Sequence, residues 1–455
     1  MGGKTQVDTS VAIVGSGPAG MYAIEHLLEQ TDLNVEIDLY EKLPTPWGLV
    51  RAGVAPDHPE KKLVVDRLFN YYLNHPRVRF IGNVEIGEDL RHAELAQHYD
   101  AVIYAIGATS DAQLGIPGEE LEGSWAAREF VAWYNGHPEF SHLKFDLSCK
   151  HAVIVGNGNV ALDVARILTT SPETLAKTDM ADHAMDALRN SHIEEVTILG
   201  RRGPLQGAFN NPELEELQHL EGVDVVVDVE DLPAENEVVL DNANWETERK
   251  VKALARLAAR QVSDAHKKIT YCFLTSPVEF VGDDKVEQVL VVRNHLEHVE
   301  KGKLQARPTE EKSLLGTGLV LRAIGYRGNP FPGLPFDEHR GVIENQNGRV
   351  CDKGNVLPGV YVTGWIKRGP NGLIGTNKKC AAQTVQKLIE DTHASPASED
   401  KSPAALVEQL CQRNPKIVYL NNWQQIDHAE RLAGRVQQRP RVKLTSIDQL
   451  FAEAF

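Results

Sequence analysis

The stretch from Val11 to Glu41 constrains the fold of this chain more than any other part of it. It opens with an apolar run, Val11 to Val14, that is typical of a buried strand, and a glycine-rich turn, Gly15 to Gly20, follows at once. The residues after the turn, Met21 to Leu28, repeat apolar side chains at helical spacing. A strand, a glycine turn and a helix in this order predict a βαβ unit that binds a dinucleotide.

Each glycine of the turn has its own physical reason. Gly15 permits a tight turn, Gly17 lets the backbone approach a pyrophosphate closely, and Gly20 allows the helix to pack against the strand. The phosphates would meet unpaired NH groups at the positive end of that helix. The next predicted strand, Val35 to Tyr40, ends on Glu41, whose carboxylate would bind the hydroxyls of a ribose.

The same pattern recurs in the middle of the chain. An apolar run, Ala152 to Val155, precedes the G-x-G-x-x-A turn Gly156 to Ala161, and a helical segment, Leu162 to Leu168, follows. One chain that carries the pattern twice is predicted to be an α/β protein with two nucleotide-binding folds.

The second copy differs from the first where the ribose would be bound. Its following strand, Val196 to Leu199, leads into Arg201 and Arg202 instead of an acidic residue. Because arginine pairs bidentately with phosphate, we predict that this site prefers the 2′-phosphate of NADPH to the free hydroxyl of NADH. The alternative is that the two arginines form a solvated strand end.

A loop tryptophan and a pair of helix glutamates each allow two interpretations. Trp47 lies in a segment with four prolines and two glycines, Lys42 to Pro59, which predicts an ordered loop beside the first nucleotide. Its ring would either contact the cofactor or only anchor the loop. Glu213 and Glu216, near the start of a predicted helix, would complement the helix dipole, or one of them would reach a nicotinamide amide.

A predicted helix from Trp245 to Lys268 separates its charges from its apolar residues. One stripe, which we call the basic ridge, consists of Arg249, Lys252, Arg256 and Arg260. The opposite stripe consists of Val251, Leu254, Ala258 and Val262. The basic ridge is either a solvated face or a docking surface for an acidic protein.

Composition argues against several other classes of protein. The chain has 455 residues, enough for two or three domains, and its net charge of −16 argues against nucleic acid or an anionic membrane as the main partner. Its five cysteines form no C-x-x-C pair, which supports neither a disulfide framework, nor a metal or iron–sulfur site, nor a redox dithiol. No apolar run reaches the ~18 residues of a membrane span. The short polar start predicts a cytoplasmic protein and leaves an organelle matrix open.

The last part of the chain contains another glycine-dense loop. A strand, Gly359 to Trp365, precedes the loop Arg368 to Asn377, and a helix from Lys378 to Asp391 follows. This arrangement favours a ring system or a phosphate against backbone NH groups. The tail from Ala404 to Phe455 has helical stretches without an interpretable motif.

Together these motifs closely resemble the adrenodoxin reductase type of NADPH-ferredoxin reductase, including its bacterial members. The resemblance spans almost the whole chain and rests on the segments Val14–Gly20, Pro44–Arg51, Gly53–Pro59, Gly156–Asp163, Gly200–Pro204, Gly364–Trp365 and Gly369–Thr376. The loop containing Trp47 and the last glycine block are more specific than a Rossmann fingerprint alone.

The resemblance implies two Rossmann-like domains, with an NADP-binding domain (109–328) inserted into an FAD-binding domain (1–108 and 329–455). The implied FAD contacts are Ala19, Glu41, Leu49, Val84, Trp365, Gly372, Leu373 and Ile374. They join the candidates from the motifs above, which are Gly15, Gly17, Gly20 and Trp47. The implied NADPH contacts are Asn157, Gly158, Asn159, Val160, Arg201, Arg202, Glu213 and Gly372. It also makes His58 and Asp163 candidates for a proton path.

The implied activity is transfer of a hydride from NADPH to FAD and of single electrons to an acidic ferredoxin, docked near the basic ridge. We expect a monomer. A disulfide reductase shares the two folds, but the missing C-x-x-C disfavours it, and the missing cysteine clusters disfavour an electron-input subunit like that of glutamate synthase. A flavin-binding redox sensor or scaffold, or an NADPH dehydrogenase that uses a quinone or another acceptor, stays open. The sequence does not identify the ferredoxin or the direction of flux.

Overall fold

The computed structural model describes residues 9–30, 33–232, 245–260, 263, 265–299, 303–394 and 400–455. The chain divides into two compact units. The discontinuous unit contains the chain up to Ser110 together with Gly325–Phe455, and the central unit contains Asp111–Ile324. The chain therefore passes between the units at residues 110/111 and 324/325, where the resemblance had implied 108/109 and 328/329.

The discontinuous unit is built on a seven-stranded sheet. In spatial order its strands are Asn345–Gln346, Arg349–Asp352, Asn355–Val362, Ala101–Tyr104, Thr9–Val14, Val35–Glu41 and Val78–Gly82. The last five are parallel to one another. Alternate residues enter different cores: Val11 and Ile13 pack on one face, Ala12 and Val14 on the other. A strand buried on both faces explains why this segment is continuously apolar.

The central unit repeats this design with a six-stranded parallel sheet. Its strands, in spatial order, are Ser124–Ala126, Leu319–Arg322, His151–Val155, Glu195–Leu199, Lys267–Cys272 and Val223–Val227. Ala152 and Ile154 pack into one core and Val153 and Val155 into another. A separate antiparallel sheet consists of Thr275–Val281, Gln288–Val299 and Lys303–Gly316.

Both predicted fingerprints form the same local structure. The helices Pro18–Leu28 and Asn159–Thr169 each follow a strand directly, and each has a glycine, Gly17 or Gly158, as its N-cap. The predicted α/β class with two Rossmann-like units is confirmed. In the discontinuous unit the helix Thr376–Ala394 packs against Pro18–Leu28, which brings the late glycine block to the first fingerprint.

Two local predictions were wrong in their extent. The helix predicted to reach Lys268 ends at Ala258, and Lys268 pairs with Glu195 in the parallel sheet instead. Val262 lies outside the described residues. The proline-rich loop contains a short helix, Leu49–Ala52, whose first turn closes on the carbonyl of Gly48. Val84, an implied FAD contact, lies just after the strand Val78–Gly82.

The remaining helices are short or lie in the tail. They are Pro59–Val64, the π-helical Val65–Phe69, Asn70–Leu73, His92–His98, Ala127–Tyr134, Pro172–Leu175, Asp182–Arg189, Asn211–Glu216, Trp365–Arg368, Pro403–Arg413, Leu420–Val436 and Ile447–Ala454. The 3-10 turns are Pro204–Gln206, Leu217–His219 and Val229–Asp231, and the two-residue strands still to be named are Ser110–Asp111, Tyr326–Arg327, Phe336–Asp337 and Val342–Ile343. Within the described ranges, no helix combines the length and hydropathy that crossing a bilayer requires.

Candidate functional site

The first glycine turn has a backbone that only glycine fits at two positions. Gly15 has φ +104°, and a Cβ built on it would lie 2.6 Å from the carbonyl oxygen of Ala105. A Cβ on Gly20 would lie 2.0 Å from the carbonyl oxygen of Gly15. These close approaches fold the turn tightly between the strand Thr9–Val14 and the helix that follows it.

Gly17 faces open space instead. No atom lies within 4 Å of a Cβ built on it, and as N-cap it leaves the first NH groups of the helix without a side-chain partner. An open face beside free NH groups at a helix N-terminus is where the pyrophosphate of a dinucleotide fits.

Two glycines that the sequence analysis did not single out shape the same site. A Cβ on Gly48 would lie 3.1 Å from Cα of Gly17, and one on Gly364 would lie 2.6 Å from Cβ of Ala19. Both have positive φ, +48° and +76°. The proline-rich loop and the late glycine block therefore both touch the fingerprint. A signal was present, since each glycine adjoins a tryptophan in a quoted motif.

Glu41 points back at the glycine turn. Its Oε2 accepts hydrogen bonds from the backbone nitrogen (3.0 Å) and hydroxyl (2.5 Å) of Ser16, and its Oε1 accepts one from the backbone nitrogen of Leu43 (3.1 Å). Burial raises the pKa of the Glu41 carboxyl, while the hydrogen bonds from Ser16 and Leu43 favour its charged form. The carboxylate is thus held beside the turn as an acceptor for hydroxyl groups. Ser16 occupies a variable position of the G-x-G-x-x-G motif, so the motif carries no signal for its bond to Glu41.

Trp47 is buried, and its ring lies in the core of the discontinuous unit. The ring stacks on Phe69 with centroids 5.9 Å apart and meets Trp423 edge-on at 6.4 Å. The structure therefore favours the anchoring interpretation for this side chain. Of the other predicted contacts in the region, Leu49 is 39% exposed, whereas Val84 is buried and its NH donates to the carbonyl of Glu41.

Trp365 presents a donor without an acceptor. Its indole Nε1 is buried and has no hydrogen-bond partner among the described residues, and its ring centroid lies 5.4 Å from that of Tyr326. A buried indole NH normally finds a partner. An acceptor atom of a bound ring system would supply it.

The loop Gly372–Ile374 leads into the long helix Thr376–Ala394. Gly372 has φ +84°, and a Cβ on it would lie 2.6 Å from Oγ1 of Thr376, which also accepts a hydrogen bond from Leu373 NH at 3.1 Å. Leu373 is 55% exposed and Ile374 is half-buried. Ile374 packs against the core of the discontinuous unit, so Leu373 is the exposed apolar side chain of this loop.

The second glycine turn repeats the geometry of the first. Gly156 has φ +115°, and a Cβ on it would lie 2.3 Å from the carbonyl oxygen of Ala323. Gly158, like Gly17, faces open space, and Ala161 replaces Gly20 in a fully buried position. The central unit thus has its own place for a pyrophosphate.

The side chains predicted around this second turn support its shape. Asn159 accepts a hydrogen bond from the backbone nitrogen of Asn210 at 2.8 Å, and Val160 packs at the edge of the core. A Cβ on Gly200 would lie 2.7 Å from Nδ2 of Asn157. The end of the strand Glu195–Leu199 therefore adjoins the turn.

Arg201 and Arg202 follow that strand, with exposed and half-buried side chains respectively. Their carbonyls accept hydrogen bonds from Asn294 Nδ2 (3.0 Å) and the NH of Leu274 (3.2 Å), which hold the backbone. In the part of the chain that the structure describes, no carboxylate forms an ion pair with either guanidinium. Two arginines without acidic partners beside an open glycine turn fit a phosphate.

The three remaining site residues belong to different units. In the discontinuous unit His58 is 4% exposed, with Nδ1 3.1 Å from Oε1 of Glu60. In the central unit Asp163 forms an ion pair with Arg166 at 2.7 Å, and Glu213 is buried in the first turn of Asn211–Glu216. A proton path through His58 and Asp163 stays a prediction.

The basic ridge is exposed, but acids neutralise part of it. Arg249 forms two hydrogen bonds with the carboxylate of Glu215, at 2.7 and 2.6 Å, and Lys252 lies 2.5 Å from Glu248. Arg260 donates to the carbonyl of Gln218. Glu215 comes from another helix, so the periodicity of the ridge helix did not reveal the pairing. The ridge is less basic than the sequence indicated.

The chain is similar in sequence and fold to known proteins. The family model described as pyridine nucleotide-disulphide oxidoreductase matches residues 9–373. The chain is 49% identical to the NADPH-ferredoxin reductase FprA of Mycobacterium tuberculosis, over 97% of this chain and 98% of that protein. It is 42% identical to the mitochondrial NADPH:adrenodoxin oxidoreductase of Arabidopsis thaliana, over 98% and 95%. The solved structure of M. tuberculosis FprA in complex with NADPH matches with a TM-score of 0.93 and 47% identity, over 98% and 99%.

Proposed function

Because the chain belongs to the pyridine nucleotide-disulphide oxidoreductase family, and within it to the NADPH-ferredoxin reductases of the adrenodoxin reductase type, we propose that it is an FAD-dependent NADPH:ferredoxin oxidoreductase. The observation that carries this proposal is the pair of glycine turns with opposite charges beside them. At one turn the carboxylate of Glu41 can accept hydrogen bonds from ribose hydroxyls. At the other turn the guanidinium groups of Arg201 and Arg202 can donate hydrogen bonds to a phosphate. One chain with these two sites is suited to two different dinucleotides.

The discontinuous unit would hold FAD. Gly15, Gly17 and Gly20 shape the pyrophosphate site, and Glu41 would accept the ribose hydroxyls. Trp365 offers its NH, and the loop Gly372–Ile374 would cover the ring system. FAD, when bound, would supply the redox chemistry that links two-electron to one-electron transfer. The side chains of the unit would bind and orient the cofactor and exclude water from it.

The central unit would hold NADPH. Its pyrophosphate would be bound by Asn157, Gly158, Asn159 and Val160, and its 2′-phosphate would pair with Arg201 and Arg202. Glu213 stays a candidate for the nicotinamide amide. All five cysteines are free thiols, and no two of them form a C-x-x-C pair. The chain therefore lacks the redox dithiol that the disulfide chemistry in the family's name requires.

A ferredoxin is the proposed acceptor, and Arg249, Lys252, Arg256 and Arg260 are its proposed contacts. Steering by surface charge needs only local positive potential, which a protein with net charge −16 can still present. His58 and Asp163 are proposed to move protons. We also propose that the protein is a monomer. We propose that it works in the cytoplasm, because free thiols such as its five cysteines persist in reducing compartments.

The test is anaerobic stopped-flow absorbance of the purified protein mixed with NADPH or NADH, followed by an acidic iron–sulfur ferredoxin. We expect fast bleaching of the flavin with NADPH only, and then reduction of the ferredoxin. Replacing Arg201 and Arg202 by alanine should reduce the affinity for NADPH at least about tenfold per arginine and leave that for NADH unchanged.

The outcomes separate the alternatives. Bleaching without onward transfer would point to a quinone or another acceptor, and slow bleaching with few electrons passed on would point to a sensor. Unchanged NADPH preference in the double variant would contradict the arginine assignment. A protein without a flavin spectrum after reconstitution with FAD would overturn the proposal as a whole.

A further inference from the structure

The tail, which has no interpretable motif in the sequence, contains one fully buried carboxylate. Glu430, on the helix Leu420–Val436, is 1% exposed. Its Oε1 accepts hydrogen bonds from Arg51 Nη2 (2.5 Å) and the NH of Leu444 (2.9 Å), and its Oε2 accepts from Arg51 Nη1 and Arg441 Nη1, both at 2.8 Å. Four donors converge on one carboxylate, so its charge is compensated without water.

Arg51 belongs to the short helix Leu49–Ala52, whose N-cap is Gly48. A Cβ on Gly48 would lie 3.1 Å from Cα of Gly17, so this helix is in contact with the first glycine turn. Lys443, also in the tail and buried, donates to the carbonyl of Arg51 at 3.1 Å. The tail therefore binds both the guanidinium and the backbone carbonyl of Arg51, three residues after Gly48.

The other end of the loop is held by the same tail helix. Trp47 has φ +87°, a conformation that costs free energy for a residue other than glycine and persists only where its surroundings hold it. Its ring meets Trp423 edge-on, and Arg51 lies 5.6 Å from the centroid of the same Trp423 ring. Trp423 and Glu430 are seven residues apart, two helical turns, and so share one face of the helix.

We propose that Glu430 is a positioning residue for the flavin site: through Arg51 it holds the loop Trp47–Arg51 against Gly17, so that the tail helix sets the shape of the pyrophosphate site. This inference rests on the proposed function for the identity of the cofactor. The coupling of tail to loop is independent of it. No group on the tail helix needs to touch the cofactor.

The test compares Glu430→Gln with a matched control, Asp427→Asn. Asp427 lies one turn earlier on the same helix and binds the same Arg441 at 2.8 Å, but none of its hydrogen bonds or ion pairs goes to Arg51. Two readouts are taken on the flavin-free protein: the affinity for added FAD from flavin fluorescence, and hydrogen exchange of the amides from Val50 to Val54. Arg51→Lys, which keeps the charge and loses the two-point bond, serves if the glutamine variant does not fold.

We expect Glu430→Gln to weaken FAD binding about tenfold or more and to speed exchange in the loop, while Asp427→Asn changes neither. Equal effects of the two variants on affinity and exchange would overturn the proposal and leave a general role in stability. Failure of the proposed function looks different: the unaltered protein would then not bind FAD, yet the exchange comparison would still report whether Glu430 holds the loop.

Discussion

At the scale of the residue, Gly17 and Gly20 differ in what surrounds them. A Cβ on Gly20 meets the carbonyl oxygen of Gly15 at 2.0 Å, whereas one on Gly17 meets nothing within 4 Å. Gly17 has φ −71°, which alanine adopts without strain. The fold thus requires glycine at position 20, whereas at position 17 glycine leaves room for a ligand that approaches the turn.

This difference predicts opposite phenotypes for two alanine variants. Gly20→Ala should destabilise the flavin-free protein by about 1–3 kcal/mol, because the methyl group overlaps backbone. Gly17→Ala should leave the unfolding free energy of the flavin-free protein nearly unchanged and weaken its affinity for FAD. Urea unfolding and fluorescence titration measure the two quantities. A Gly17→Ala protein that binds FAD normally would remove the pyrophosphate from this turn.

Glu430 predicts a pH dependence of stability. Burial by itself raises the pKa of Glu430, but the charges and hydrogen bonds of Arg51 and Arg441 outweigh it and hold the pKa at about 2, against an ordinary 4.5. A depressed pKa stabilises the fold above the unfolded value, and that stability is lost as the pH falls toward the folded value.

Between pH 5 and pH 3 the unfolding free energy should fall by about 2 kcal/mol from this residue alone. Glu430→Gln, which cannot titrate, should be less stable than the parent at pH 7, and the gap should narrow in that window. Urea unfolding of both proteins at half-unit pH steps measures it. A gap that stays constant from pH 5 to pH 3 would show that the carboxylate is not held in its charged form.

At the scale of the element, the cations of the ridge helix Trp245–Ala258 differ in their ion pairing. Arg249 and Lys252 are paired with Glu215 and Glu248, while Arg256, exposed on the same stripe, has no ion-pair partner within the described ranges. Exposed pairs are screened by salt and contribute little to stability, but they do cancel local potential. The positive potential for an acceptor therefore comes mainly from the end of the ridge near Arg256 and Arg260.

Reversing the charge at the unpaired end of the ridge should therefore lower the rate of ferredoxin reduction. Arg256→Glu with Arg260→Glu should slow ferredoxin reduction steeply at low ionic strength, and added salt should narrow the difference from the parent, while reduction of a small neutral dye stays unchanged. Glu215→Gln frees Arg249 and should speed ferredoxin reduction at low salt. Equal losses with ferredoxin and dye would mean that the ridge affects the enzyme in another way.

Elements with a local pattern were predictable, and those held by distant partners were not. The strands at Val11 and Ala152 and the helices after them follow from apolar periodicity, and the structure changes only their ends. The ridge helix ends at Ala258, and Lys268 belongs to a strand because its pairing with Glu195 in the parallel sheet overrides helical spacing there. The contact of Glu430 with Arg51 spans 379 residues, and no periodicity in either segment encodes it. Trp47 was ambiguous because Phe69 and Trp423, which bury it, are remote in sequence.

At the scale of the whole molecule, each unit has its own cores. One pair of apolar clusters draws all its residues from the discontinuous unit and the other pair from the central unit. With one nucleotide site in each, a ligand that binds one unit should stabilise that unit.

Calorimetry of the flavin-free protein should therefore show two transitions with different ligand responses. FAD at 100 times its dissociation constant adds about 2.7 kcal/mol, which should raise one transition by roughly 5–10 °C. NADP+ at the same multiple should raise the other. A single transition that both ligands raise equally would mean that the units unfold together.

The discontinuous sheet has a consequence for synthesis on the ribosome. The strand Ala101–Tyr104 lies between Thr9–Val14 and Asn355–Val362, and the latter emerges only after the whole central unit has been made. Translation adds about 5 to 20 residues per second, so roughly 10 to 50 s separate the two strands. During that interval the nascent chain displays a buried-type apolar strand with an open edge, the kind of surface that aggregates. A chaperone that shields this edge until Asn355–Val362 arrives would raise the yield of folded enzyme, and premature termination before that strand would release an insoluble fragment.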